Sequence, residues 1–176
     1  MHDQKKLDGF EAIVLPQLGA AYNLARWLTR NDHDAEDVVQ EAYLRAFRFF
    51  DGFRGGDVRA WLLTIVRNTY YTWLSSNRIS DHSAPIEDDE TWDLETDAPN
   101  PELSAIQASE RDQLEQAIEN LPAEFREVLI LRELEEMSYK EISDISGIPI
   151  GTVMSRLARA RKRLQQCLAG VIRREA

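Results

Sequence analysis

The chain has 176 residues, 43% of them hydrophobic, a formal net charge of −10 and one cysteine. It holds one medium domain or two small ones of ordinary apolar content, and no apolar run approaches the roughly 20 residues of a membrane-spanning helix. The first residues, MHDQKKLDGFEAIVL, lack the apolar stretch and cleavage site of a secretory signal, and the single Cys167 excludes an internal disulfide, so the expected compartment is the reducing cytoplasm.

In chain order, FEAIVLPQLGAAYNLARWL reads as one or two helices, with Pro16 marking a break. Asn31-Asp32 starts a turn. DAEDVVQEAYLRAFRFF is strongly amphipathic. Val39, Ala42, Tyr43, Ala46 and Phe50 form its apolar stripe, and Asp34, Asp37, Glu41 and Arg45 share another face at i, i+3 and i+4 spacing. Phe53-Arg54-Gly55-Gly56-Asp57 is a loop, and VRAWLLTIVRNTYYTWLSSNR forms a long helix, straight or kinked. That helix interleaves Trp61, Tyr70, Tyr71 and Trp73 with Arg59, Arg67, Asn68 and Arg78. Aromatics beside Arg suit single-stranded nucleic acid, because rings stack on bases while guanidinium groups neutralise phosphates. The same pattern also serves as core. Trp61, Leu62, Ile65 and Val66 are assigned to the core, and Asn68, Tyr71 and Arg78 to exposed contacts.

Residues 79–105 carry nine acidic side chains, three prolines and no Lys or Arg. This segment cannot bury a core and reads as a flexible acidic linker. Fully extended, it spans roughly 90 Å. Residues 1–78 hold ten basic and ten acidic side chains, and residues 106–176 hold eleven and twelve. Nearly all the net charge therefore sits in the linker, and the acidic total does not exclude nucleic-acid binding by the flanks.

Beyond the linker, SERDQLEQAIENL is a helix broken at Leu121-Pro122, with Pro122 at a first helical position, and AEFREVLILREL is the next helix. Two short helices then follow in MSYKEISDISGIPIGTVMSRLARARKR. Ser138 and Glu141 fit a capping box, Gly147 a left-handed C-cap, and Pro149 stops continuation. Val153, Leu157, Ala160 and Leu164 fall on an inward stripe, while Thr152, Ser155, Arg156 and Arg159 fall on the opposite face. Residues 145–174 contain seven Arg or Lys and no acid. This is the layout of a helix-turn-helix whose second helix enters a DNA major groove; the alternative is two amphipathic helices with a solvated basic face. Cys167, in RLQQCLAGVI, reads as a small packing residue. Three scattered His and one Cys offer no metal set, and no Gly-rich phosphate loop is present, so neither cofactor nor catalysis is expected.

The ordered motifs DAEDVVQEAYLRAF, FRGGDVRAWLLTIVRN, LPAEFREVLILRELEEMSYKEIS and GIPIGTVMSRLARAR resemble an extracytoplasmic-function (ECF) sigma factor of bacterial RNA polymerase. The resemblance implies an all-α chain of two small helical domains: sigma region 2 over 8–78 and sigma region 4 over 106–174, joined by the linker. It implies that Asp37, Gln40, Glu41 and Arg45 face the β′ clamp of core polymerase, and that the β flap is a second contact. It places Asn68, Tyr71 and Arg78 at minus-ten recognition and melting, with Asn68 beside a pocket for a flipped base. Gly151, Thr152, Ser155, Arg156 and Arg159 fall at the minus-35 element, with the amides near Gly151 free to hold a phosphate. Met154 stands where some relatives carry Arg. Arg161, Lys162 and Arg163 are expected to steer toward phosphates or fold against the domain. An anti-sigma factor is an expected partner. The rival readings are a sigma-like decoy that binds an anti-sigma factor without engaging DNA, and an ordinary repressor or activator with a C-terminal helix-turn-helix and a sensor domain in front. In the free chain the acidic linker is expected to repel DNA or screen the basic helix.

Overall fold

A computed structural model describes residues 1–77 and 110–175, which form eight α-helices, two short 3-10 turns and no strand. The expected linker at 79–105 and Arg78 lie outside the described residues.

The N-terminal half contains α1 (His2–Val14), α2 (Leu18–Thr29), α3 (Asp32–Phe49) and α4 (Val58–Ser76). Pro16 lies in a 3-10 turn, Leu15–Gln17, between α1 and α2, where its missing N–H interrupts the helical ladder. Arg30, at φ 60°, closes α2, and the Asn31 side chain accepts from the Asp34 amide at 3.0 Å to open α3. Asp57 caps α4 in the same way through the Ala60 amide. The Asn31-Asp32 turn is thus a helix cap.

Phe10 is fully buried, and the edges of Tyr43, Phe47 and Phe50 meet it at centroid distances of 4.9, 5.3 and 5.4 Å. Around it pack Val14, Leu24, Leu28, Val38, Leu62, Leu63 and Val66. The apolar stripe of α3 is wider than its pattern suggested: Ala35 and Val38 are its fully buried members beside Ala42 and Ala46, while Val39, Tyr43 and Phe50 are half-buried. In α4, Leu62 and Val66 are core as expected, whereas Trp61 and Ile65 pack at its margin.

The C-terminal half contains α5 (Glu110–Glu119), α6 (Ala123–Glu133), α7 (Tyr139–Ser146) and α8 (Ile150–Glu175). Pro122 is the N-cap of α6, one residue before the first-turn position expected for it. Phe125, Val128, Leu131, Ile142, Val153, Leu157 and Ala160 form the core between α6, α7 and α8.

The two halves pack on each other, α2 against α6 and α4 against α7. Arg126 of α6 is 2% exposed; its guanidinium donates to the carbonyls of Glu119, the last residue of α5, and Leu121 just beyond it, and to that of Leu28 in the last turn of α2. Unpaired C-terminal carbonyls carry the negative end of the helix dipole, so one buried cation stabilises two helix ends, one from each half.

Candidate nucleic-acid and polymerase interfaces

The helix-turn-helix is built as its pattern requires. Ser138 accepts from the Glu141 amide while the Glu141 side chain accepts from the Ser138 amide, a complete capping box at the start of α7. Gly147, at φ 69°, ends α7 in the left-handed region, where a side chain would add strain. Three residues later α8 begins. Val153, Leu157 and Ala160 are buried and Leu164 packs beside them. Gly151, Ser155, Met154 and Arg159 are exposed, and Thr152 and Arg156 are half-buried. The first turn of α8 therefore presents amides and small polar groups outward, with Arg159 two turns further along the same face. Arg161 and Arg163 fold back on the domain: Arg161 pairs with Glu133 at 2.7 Å, and the Arg163 guanidinium lies 5.0 Å from the Phe125 ring centre. Lys162 is exposed.

On α3 the polar face is open. Asp37, Gln40 and Glu41 are exposed, and Glu41 accepts from Arg45 Nε at 3.1 Å one turn away. Leu44 and Phe49 add 58% and 60% exposed apolar side chains to this helix, so polar and apolar groups are both available to a partner surface.

On α4 the structure separates residues that the sequence reading grouped. Asn68 is exposed, and its Oδ1 accepts from Arg67. Tyr71 is not the exposed contact expected of it. Its hydroxyl donates at 3.0 Å to Glu127, a wholly buried carboxylate of α6, and burial pushes the phenol pKa far above its ordinary value. Arg67 Nε donates to the other Glu127 oxygen at 2.6 Å, and the Arg67 guanidinium stacks 4.3 Å from the Tyr71 ring centre. Burial raises the Glu127 pKa, while Arg67, Tyr71 and Arg156 pull it back. Alongside, Arg59 pairs with Glu135 at 3.4 Å, and Asn23 of α2 donates to the same carboxylate. Glu127 and Glu135 were missing from the sequence-based site because their partners lie 56 to 112 positions away in the chain.

Two helical domains, one ending in a capped helix-turn-helix and the other presenting an open acidic helix beside an aromatic-basic one, define a DNA-binding protein of the two-domain sigma type. The sigma-70 region 2 family profile matches residues 14–79, and the sigma-70 region 4 profile matches residues 111–164. The chain is 33% identical over 95% of its length to the ECF RNA polymerase sigma factor SigE of Mycolicibacterium smegmatis, of which it spans 64%. It is 35% identical over 81% of its length to the ECF RNA polymerase sigma-E factor of Haemophilus influenzae, of which it spans 77%. Among solved structures, the sigma factor RpoE in complex with the anti-sigma factor NepR from Bartonella quintana superposes with a TM-score of 0.70 at 29% identity, covering 92% of this chain and 97% of that one. CnrH, solved with the cytosolic domain of CnrY, shares the fold at TM-score 0.62 and 23% identity. The chain belongs to the ECF sigma factor family of bacterial RNA polymerase. Its work is therefore that of a non-enzymatic initiation factor that directs transcription. No helix among the described residues is long and apolar enough to cross a membrane.

Proposed function

We propose that this chain docks on core RNA polymerase through α3, reads a minus-35 element with α8 and helps melt a minus-ten element with α4, acting in the cytoplasm. Asp37, Gln40, Glu41 and Arg45 meet the β′ clamp, and region 4 meets the β flap. Gly151, Thr152, Ser155, Arg156 and Arg159 meet the minus-35 groove; Asn68 and Arg78, joined by Tyr71 only once region 4 has left α4, meet the opened minus-ten strand. The observation that carries this reading is the capped helix-turn-helix, with its groove face outward, in the same chain as an open, unburied α3 face. A decoy has no use for the outward groove face, and a repressor or activator with a sensor domain in front has none for a polymerase-docking α3. An anti-sigma factor is a partner of the same class as the one held by the Bartonella quintana neighbour.

The test is runoff transcription with purified core polymerase on promoters mapped after overexpression. Promoter-dependent transcripts support the reading; binding to an anti-sigma factor with no transcript on any promoter would show a decoy. Asn68→Ala should impair open-complex formation more than initial binding. A template with a premelted bubble should restore much of the loss, because extruding a base costs a few kcal/mol that the bubble no longer demands.

A further inference from the structure

Along α4, region 4 lies on Arg59, Arg67 and Tyr71, and Asn68 stays exposed beside them. Glu127 places its two carboxylate oxygens against Arg67 Nε at 2.6 Å and the Tyr71 hydroxyl at 3.0 Å, and Glu135 meets Arg59 at 3.4 Å. Glu127 is 0% and Glu135 8% exposed, so both are covered by this contact and its surroundings. A guanidinium stacked on a ring with an anion against its edge is also how a protein holds single-stranded nucleic acid: the ring takes a base and the cation takes a phosphate. Arg156 of α8 is near enough to Glu127 to favour its charged form. The Glu127 carboxylate is thus held by α4 and also feels the charge of an α8 cation.

Resting on the proposed assignment of α4 to the melted strand, we propose that Glu127 and Glu135 are a built-in competitor for single-stranded DNA, so that the closed chain masks its own melting face. The competition is possible because the part of the contact that covers Arg59, Arg67 and Tyr71 is polar, within a seam where apolar side chains also pack. Desolvating a carboxylate and a guanidinium offsets much of their attraction, which leaves a modest net preference that phosphates or a polymerase surface can displace. An apolar seal would not exchange for DNA in this way. When only the open fraction binds, the apparent dissociation constant is the intrinsic one divided by that fraction, so opening the chain tightens binding without adding a single new DNA contact.

The test uses the full chain. In a Cys167→Ser background, spin labels at exposed Asp8→Cys and Lys162→Cys report the distance between the halves by pulsed electron resonance, and a fluorescent oligothymidine probes single-strand affinity in the unlabelled chain. The parent should give one narrow distance distribution. Glu127→Gln with Glu135→Gln, close in volume to the originals, should lengthen and broaden it and tighten oligothymidine binding at least about fivefold, the low end of typical coupling between linked equilibria. A charge-matched control, Asp3→Asn with Glu36→Gln, both exposed and away from the contact, should do neither. The proposal is overturned by a broad, long distribution in the parent, by opening without tighter binding, or by an equal gain in the control. If circular dichroism shows that the double variant has lost helix, Glu135→Gln alone, at the rim of the contact, carries the same expectation through Arg59. Runoff transcription by the holoenzyme separates the two levels: a chain that transcribes but is open when free loses only the masking, and one that opens no promoter loses the assignment of α4.

Discussion

The two halves of this protein bury different chemistry. Among the described residues, the N-terminal half buries one polar side chain, Thr69, whereas the C-terminal half buries Arg126, Glu127, Glu135 and Ser146. Region 2 closes around an aromatic centre at Phe10 and needs no partner to satisfy it. Region 4 has an equally apolar interior, from Val128 to Leu157, but adds a charged stripe on α6 that is satisfied by α2 and α4 of the other half. Apolar packing holds each domain and runs on into the seam between them, and polar pairing is added at that seam. Contacts of the second kind resemble reversible interfaces, in which relative motion of domains is the ordinary expectation. Arg126 shows the balance within one side chain: both terminal nitrogens donate to carbonyls, yet its Nε has no hydrogen-bond partner.

The sharpest way to break this contrast is inside region 4. Leu157 is 1% exposed, and Leu157→Ala should destabilise the domain by about 2–5 kcal/mol, read as a fall in the urea midpoint together with loss of DNA binding. Arg126→Met comes next. It should cost about 1.5–3 kcal/mol through lost charge-assisted hydrogen bonds. Unlike Leu157→Ala it should separate the halves before either unfolds, so calorimetry should resolve two transitions; a single shifted transition would mean that Arg126 is core and not a hinge between domains.

A smaller effect is expected at the exposed face of α8. Arg159→Ala should weaken minus-35 recognition by about 1–3 kcal/mol if the side chain makes a bidentate base contact. A uniform loss over all sequences, with a lower salt slope, would reassign it to phosphate. The smallest stability effect belongs to α3. Removing the exposed Glu41–Arg45 pair with Glu41→Gln should cost only about 0.3–0.5 kcal/mol of folding stability. A clear fall in core-polymerase affinity with helicity retained would then mark a docking face. Unchanged affinity would leave Glu41 with a solvated helix pair and no further role.

Much of this architecture was legible in the residues. The Ser138–Glu141 box, the Gly147 stop and the Val153–Leu157–Ala160 stripe all stand in the structure, because each is set by contacts within four residues along the chain. The exposed face of α3 was readable for the same reason. Helix boundaries were blurred where local signals were weak: Pro16 marks the expected break, in the form of a 3-10 turn, whereas Pro122 makes a cap where a first turn was expected.

Tyr71 was misread because its environment is not local. Nothing within a turn of Tyr71 announces a carboxylate 56 positions later, and nothing near Glu127 distinguishes it from Glu124 and Glu133 on the same helix, which are not buried. Local periodicity and cap chemistry therefore determined the helices, the helix-turn-helix and the family resemblance. Tertiary packing alone decided which of the charged groups would leave water, because burial of a charge depends on which cation and which hydroxyl the fold brings within hydrogen-bond reach.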